Sequence, residues 1–268
     1  MFSHKKVYDV VKEKGEEAMY LTKEKTEKEN ILILVVFDRS GSMQTDGKIK
    51  EARRGYNAFI QGQKGLKGDA HVTLAVFDDQ YGIMYNELDI KNVGELKEGR
   101  IQPRGMTRLY DAIGKTINSV KDESKYDGVI LLIATDGEEN DSREYTAESI
   151  KKLLNEKKEL GWEVIFSGSS EEAAMDAGES LGIIKSDSYS NTAAGETLKW
   201  SNSTVETTCY RSGDVEESNI IHVADAKDED QININEDALD ATIINVPGVY
   251  PKEDWMIQSK NATISEGK

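Results

Sequence analysis

The sequence is poor in several residue types on which common classes of protein depend. Its 268 residues include a single cysteine, Cys209, so an intrachain disulfide framework and a cysteine-based zinc finger are excluded. Three scattered histidines disfavour a histidine-rich metal site. The longest apolar runs, residues 31–37 and 129–134, are far shorter than the roughly 18 residues that cross a bilayer. No apolar segment follows the basic residues near Met1, so no signal peptide is evident, and we expect a soluble, cytoplasmic protein.

Positive charge is also scarce. The chain has 34 Lys and Arg residues against 50 Asp and Glu residues, which gives a formal charge of −16. A protein that binds duplex nucleic acid or an anionic membrane needs a basic face to displace counterions or to attract lipid headgroups. We therefore expect neither nucleic acid nor membrane as a partner.

Charge and hydrophobic patterning divide the chain into three sections. Residues 1–30 form a charged N-terminal extension with seven Lys and seven acidic residues, and their apolar positions permit a helix without requiring one. Residues 31–212 have the pattern of one folded domain. Residues 213–268 form an acidic C-terminal extension with 13 acidic and four basic residues. Short alternating stretches there fit either a partly disordered tail or strands that pair with a neighbour or partner, and both interpretations stay open.

The central section alternates between strand and helix patterns. Fully apolar runs or two-residue alternation predict five strands, at residues 31–37, 72–77, 81–88, 129–134 and 164–166. Helical spacing of apolar residues predicts five helices, at residues 46–63, 109–120, 147–160, 171–181 and 192–210. Strands that alternate with helices of this length predict an α/β fold, with a mostly parallel sheet covered on both faces.

Polar residues with oxygen ligands follow the two most apolar strands. Asp38, Ser40 and Ser42 come directly after residues 31–37, and Asp136 follows residues 129–134. Thr107 lies in a loop just before the helix predicted to begin at residue 109. Ligands of α/β sheets bind where loops leave the carboxyl ends of the strands, so these side chains are expected to converge. Hydroxyl and carboxylate oxygens suit Mg²⁺ or Mn²⁺.

The mixture of ligands indicates what such a metal would do. Two carboxylates neutralise a divalent ion formally, while three hydroxyls donate little charge, so the ion stays electrophilic and can take an oxyanion from outside. Arg39 and Arg104, beside these loops, either steer an incoming carboxylate or are plain surface residues. Three acidic residues flank the last loop and either repel acidic ligands or form a solvated face: Glu138, Glu139 and Asp141.

These motifs resemble the von Willebrand factor A (VWA) domain family over roughly residues 30–212. The resemblance lies in Asp-x-Ser-x-Ser behind a buried strand, a Gly-x-Thr loop before a helix, and a strand followed by Thr-Asp-Gly. It implies a three-layer, doubly wound, Rossmann-like fold with a six-stranded sheet of order 3-2-1-4-5-6 and one antiparallel edge strand. It also implies an intact metal-ion-dependent adhesion site, or MIDAS. The family's five ligand positions fall on Asp38, Ser40, Ser42, Thr107 and Asp136. The sequence is more similar to intracellular bacterial and bacteriophage members than to secreted adhesins.

The predicted function is a Mg²⁺-dependent protein-interaction module whose partner offers an Asp or Glu carboxylate. An enzyme is not expected, because Ser40 stands where an aspartate-based phosphatase needs a second acid, and no Gly-x-x-x-x-Gly-Lys phosphate loop occurs. The alternative is a scaffold component of a phage particle or an intracellular assembly, with the C-terminal extension making the main contacts. In that case a phage-encoded chain would be virion-associated.

Overall fold

The computed structural model describes residues 28–136, 139–168, 180–183 and 192–212 with their side chains. It also describes the backbone of three short strands, β1 (Asp9–Glu13), β2 (Glu16–Tyr20) and a later one given below. β1 and β2 pair antiparallel, so part of the 1–30 section that permitted a helix is a two-stranded sheet. In the sequence, Gly15 falls between these two segments, and glycine disfavours a continuous helix.

A six-stranded sheet forms the centre of the molecule. Its strands are β3 (Asn30–Asp38), β4 (Asp69–Phe77), β5 (Tyr81–Asp89), β6 (Gly128–Ala134), β7 (Glu163–Gly168) and β8 (Ser186–Ser188). They lie in the order β5-β4-β3-β6-β7-β8, which is 3-2-1-4-5-6 when the six are counted along the chain. Only the β4–β5 pair is antiparallel. The predicted strand order and antiparallel edge strand are confirmed.

Among the described residues, the helices with defined bounds that cover the sheet are α1 (Lys48–Lys64), α2 (Leu109–Ser119), α3 (Ala147–Glu159) and α4 (Ala193–Ser212). The predicted helix at residues 171–181 lies outside the described residues except for its last two positions, and residues 213–268 lie outside them altogether. Within the described part of the chain, no helix combines the length and apolarity that crossing a membrane requires.

The core lies on both faces of the sheet because β3 is buried on both sides. Alternate residues such as Ile33 and Val35 face α1 and α4, where the ring of Trp200 stacks on Phe37 with centroids 5.7 Å apart. The intervening residues, such as Leu34, pack with α2 and α3. This arrangement is the predicted three-layer doubly wound fold, and it leaves the carboxyl ends of β3 and β6 side by side.

Candidate metal centre

The candidate site lies at the carboxyl edge of the sheet, where three loops meet. Loop one follows β3, whose last residue is Asp38, and leads into α1. Loop two, residues 103–108, precedes α2, and loop three follows β6 and contains Asp136. β3 and β6 are parallel neighbours with Phe37 opposite Ala134, so their emerging carboxylates are adjacent by register.

Hydrogen bonds join four of the five predicted metal ligands. The Oδ1 atom of Asp38 accepts from the backbone N–H of Ser40 at 2.6 Å. The hydroxyls of Ser40 and Ser42 are 2.9 Å apart, and Ser42 donates to Oδ1 of Asp136 at 2.5 Å. The hydroxyl of Thr135 donates to the other oxygen of Asp38. Two carboxylates and two hydroxyls from loops one and three therefore converge as predicted.

Thr107, the fifth predicted ligand, is buried where loop two meets the other loops. Its N–H donates to Oδ1 of Asn140 at 2.9 Å, and the N–H of Asn140 donates to its carbonyl at 3.1 Å. Gly41 of loop one donates to the carbonyl of Gly105 at 3.2 Å. Gly105 has φ +68°, a backbone conformation that favours glycine, and a Cβ there would stand 2.3 Å from the Asp79 carboxylate. Hydrogen bonds through the backbone of Gly105 and Thr107 thus join loop two to loop one and loop three.

Burial makes the electrostatics of this set unfavourable without a cation. Asp38 is 1% exposed and Asp136 is 7% exposed. Burial, together with the nearby charge of Asp136, raises the pKa of Asp38 to about 6, although hydrogen bonds from Thr135 and Ser40 partly oppose the shift. Two buried carboxylates this close need a compensating positive charge.

One such charge comes from a residue that the sequence analysis missed. Lys48, the first residue of α1, is 2% exposed, and its ammonium is ion-paired with Oδ2 of Asp136. In the sequence, a lysine near the start of a predicted helix is indistinguishable from a surface lysine. The only available signal was its place at the end of loop one, ahead of the apolar helix positions.

Two carboxylates of loop three, those of Glu139 and Asp141, bind the loop to the start of α2 and to loop two. Glu139 accepts from the N–H groups of Tyr110, Asp141 and Ser142, at 3.0, 2.9 and 2.7 Å. Asp141 pairs with Arg108 at 2.7 Å. Glu139 and Asp141 were expected either to repel acidic ligands or to form a solvated face, and here they hold loops two and three together. Glu138 lies outside the described residues.

Asp111, on the first turn of α2, completes this attachment. Its carboxylate accepts from the N–H groups of three consecutive residues, Arg143, Glu144 and Tyr145, at 3.0, 2.8 and 2.9 Å. Burial alone would raise the pKa of Asp111, but these three bonds keep it below its usual value. The sequence does not indicate this role, because a lone acidic residue in a first helical turn ordinarily indicates only a favourable interaction with the helix dipole.

An exposed rim surrounds the buried ligands. Ser42 is exposed, and Met106, next to Thr107, is 50% exposed. Arg39 and Arg104, the predicted steering residues, are both ion-paired with buried Asp78, at 3.0 and 2.7 Å. Asp78 therefore holds both guanidinium groups on the loop-one and loop-two side of the site.

The donors present fit a hard cation. In the described ranges no group of three His, Cys, Asp or Glu side chains is placed to hold a metal. The candidate centre instead combines two carboxylates with hydroxyls, a set that favours Mg²⁺ or Mn²⁺ over softer ions. That the five residues bind a metal remains a prediction. The hydrogen-bonded arrangement of four of them supports it.

Comparison with known proteins bears on the fold. No protein-family model matches the sequence, and no curated protein matches it. Among solved structures, the PilB minor pilin of Streptococcus sanguinis is similar, with a TM-score of 0.53 and 16% identity over 73% of this chain and 66% of that one. Proximal thread matrix protein 1 of the mussel byssus, solved with a zinc-occupied MIDAS motif, gives a TM-score of 0.50 and 15% identity over 68% of this chain. The chain has a VWA fold.

At these identities the likeness concerns the VWA fold alone. The pilus adhesin SpaC of Lactobacillus rhamnosus GG also matches, with a TM-score of 0.50, 15% identity and 68% of this chain covered. This chain spans less than two thirds of each of these proteins: 66% of the pilin, 46% of the byssus protein and 30% of the adhesin. The shared part corresponds to the VWA fold.

Proposed function

We propose that this chain is a metal-dependent protein-interaction module with an intact MIDAS. Asp38, Ser40, Ser42, Thr107 and Asp136 hold Mg²⁺, and an Asp or Glu carboxylate of a protein partner completes the coordination. When bound, the metal would supply an electrophilic centre. The five side chains would hold the ion in a fixed position at the surface. The observation that carries the proposal is the hydrogen-bonded set of oxygen ligands from separate loops, which is buried on the sheet side and exposed at Ser42.

A binding role is favoured over catalysis by the surroundings of the serines. Ser40 and Ser42 bond to each other, and Ser42 bonds to Asp136. The one histidine among the described residues, His71, stands near the amino end of β4 and packs against Tyr126, with ring centroids 5.5 Å apart. It is therefore at the opposite edge of the sheet from the serines and is not placed to activate them.

Metal binding is tested by calorimetry on the full chain after metal has been stripped. We expect saturable 1:1 binding of Mg²⁺ and Mn²⁺ to the wild type, and no binding to Asp136→Ala. Zn²⁺ is a third arm, because the byssus protein carries zinc at its MIDAS. The matched control is Glu159→Ala, which removes an exposed carboxylate at the far end of α3. Equal binding by wild type and a folded Asp136→Ala variant would overturn the proposal.

Carboxylate recognition is tested with short peptides. A peptide with one glutamate is expected to bind the Mg²⁺-loaded protein more tightly than the matched glutamine peptide. This preference is expected to vanish in chelator and in Asp136→Ala. A preference that survives chelation would assign recognition to another surface.

A further inference from the structure

A buried lysine accompanies the candidate metal ligands and lies outside the five-residue motif. Lys48 enters from α1, and its ammonium is ion-paired with Oδ2 of Asp136, while Oδ1 of that carboxylate takes the Ser42 hydroxyl. The two oxygens of Asp136 are thus divided between a fixed cation and the side that faces the serines. At 2% exposed, the lysine is shielded from water and held in place by the fold.

The charge balance of the site changes because of this lysine. Asp38 and Asp136 contribute two negative charges and Lys48 returns one positive charge. A divalent ion held by the two carboxylates alone would form a neutral site. With Lys48 in place, the ion and these three described side chains together carry one net positive charge, in surroundings where charges are weakly screened.

We propose that Lys48 is a built-in counter-cation that weakens metal binding by the chain alone and makes tight binding depend on an anionic partner. The inference rests on the metal site proposed above and concerns a residue to which the motif gives no role. A carboxylate from the partner neutralises the excess positive charge, so metal and partner stabilise each other. In the absence of a partner, the ammonium holds Asp136 with Oδ1 directed to the serines.

Lys48 acts on the metal in two opposite ways, and their sizes decide the outcome. Its hydrogen bond orients Asp136, which favours metal binding by the modest amount typical of one charge-assisted bond. Its charge repels a divalent ion that shares the Asp136 carboxylate, and in these buried surroundings the repulsion is the larger effect. Removal of the charge is therefore expected to tighten metal binding, whereas loss of a purely structural residue would weaken it.

The test compares Lys48→Met with the wild type by Mn²⁺ calorimetry on the full chain. We expect Mn²⁺ to bind the methionine variant at least about tenfold more tightly. Lys48→Arg, which keeps the charge, and Lys50→Met, which removes an exposed charge two residues further along α1, are expected to stay within about threefold of wild type. Acetate, as the carboxylate probe at constant ionic strength, is expected to tighten Mn²⁺ binding more in the wild type than in Lys48→Met.

Thermal unfolding with and without Mn²⁺ is the second readout. Loss of Lys48 leaves Asp136 unpaired, so metal-free Lys48→Met is expected to melt below the wild type, and Mn²⁺ is expected to close the gap. A variant unfolded under both conditions, or a folded one whose Mn²⁺ affinity is unchanged or weaker, would overturn the inference.

The proposed metal site and the role of Lys48 fail in different ways. If the wild type binds Mn²⁺ and Asp136→Ala does not, but Lys48→Met matches the wild type, only the role of Lys48 falls. If neither the wild type nor Lys48→Met binds Mn²⁺, the metal site itself falls and the role of Lys48 falls with it. Binding by Lys48→Met alone would support both.

Discussion

At the residue scale, the ionisation of Asp38 links the fold to the proposed metal. The carboxyl is buried next to Asp136, and its pKa is raised to about 6 in the folded protein. The folded state therefore holds a proton more tightly than the unfolded chain does. Protonation of Asp38 therefore contributes to the free energy of unfolding. This contribution is complete below about pH 4 and is lost as the pH rises through 6. The metal-free fold is weakened by the same negative charge that a cation would use.

The first prediction concerns this pH dependence. Between pH 4 and pH 7, in chelator, the free energy of unfolding of the wild type should fall relative to Asp38→Asn by up to about 3 kcal/mol, because one pKa unit corresponds to about 1.4 kcal/mol. Urea unfolding at several pH values measures the difference. Comparison with the variant cancels carboxylates whose pKa is lowered, such as Asp111, since their contribution changes with pH in the opposite sense. If the free energy of unfolding changed equally with pH in the wild type and in Asp38→Asn, the raised pKa of Asp38 would be contradicted.

At the scale of elements, the contact between α1 and α4 depends on one glycine. Gly55 lies on the buried face of α1, and a Cβ built there would stand 2.5 Å from ring atoms of Trp200. The same indole packs against Phe37, Tyr56 and Phe59, so it has little room to move. Close approach of the two helices therefore requires the missing side chain.

We expect Gly55→Ala to lower the free energy of unfolding by about 1–2 kcal/mol. Overpacking against the indole outweighs the gain in helix propensity, which is at most about 1 kcal/mol. Gly82→Ala is the control, because nothing lies within 4 Å of a Cβ at that position in β5, and its effect should stay within about 0.5 kcal/mol. Denaturant unfolding measures both changes. A Gly55→Ala variant more stable than the wild type would show that the Trp200 indole can move to make room for the methyl group.

A second element-scale prediction concerns the attachment of loop three to α2. Replacement of Asp111 by alanine removes the acceptor of three backbone N–H groups and should lower stability by about 2–4 kcal/mol. Metal affinity should also fall by about tenfold, because loop three carries Asp136 and bonds to Thr107 through Asn140. Asp122→Ala, at an exposed carboxylate that caps a short turn, should leave metal affinity unchanged. If a folded Asp111→Ala protein bound metal as tightly as the wild type, the hydrogen bonds of Asp111 would not be needed to position the metal ligands.

The elements differ in how far the sequence could predict them. The strands at 31–37 and 129–134 are apolar throughout, so their pattern predicted both their burial and the loops that carry the ligands. β8, Ser186–Ser188, has no apolar residue and was missed as a strand, because it is recognisable only from its pairing with β7. Lys48 and Asp111 were missed for a related reason. Their roles depend on partners 88 and 32–34 residues away, which no local pattern shows.

At the scale of the whole molecule, the formal charge is strongly negative and is distributed unevenly along the sequence. The chain carries −16, and its last 56 residues contribute 13 acidic against four basic residues. Long-range repulsion therefore opposes an acidic partner. Positive charge is nevertheless present beside the metal loops, where Lys48 pairs with Asp136 and Arg39 and Arg104 pair with Asp78. Attraction at the site is thus local, and repulsion comes from the rest of the chain.

Deletion of residues 213–268 tests which part of the molecule binds the partner. α4 ends at Ser212, and Arg211 is buried, with one guanidinium nitrogen donating to the carbonyl of Gln63 at 2.7 Å, so the deletion removes none of the contacts described for the domain. We expect the truncated protein to keep Mn²⁺ binding within about twofold and to bind the glutamate peptide at least as tightly as the full chain, because the net repulsion is smaller. Asp38→Ala in the full chain should lose both activities. The opposite pattern, with peptide binding lost on truncation and kept in Asp38→Ala, would place recognition in the acidic extension and favour a scaffold role.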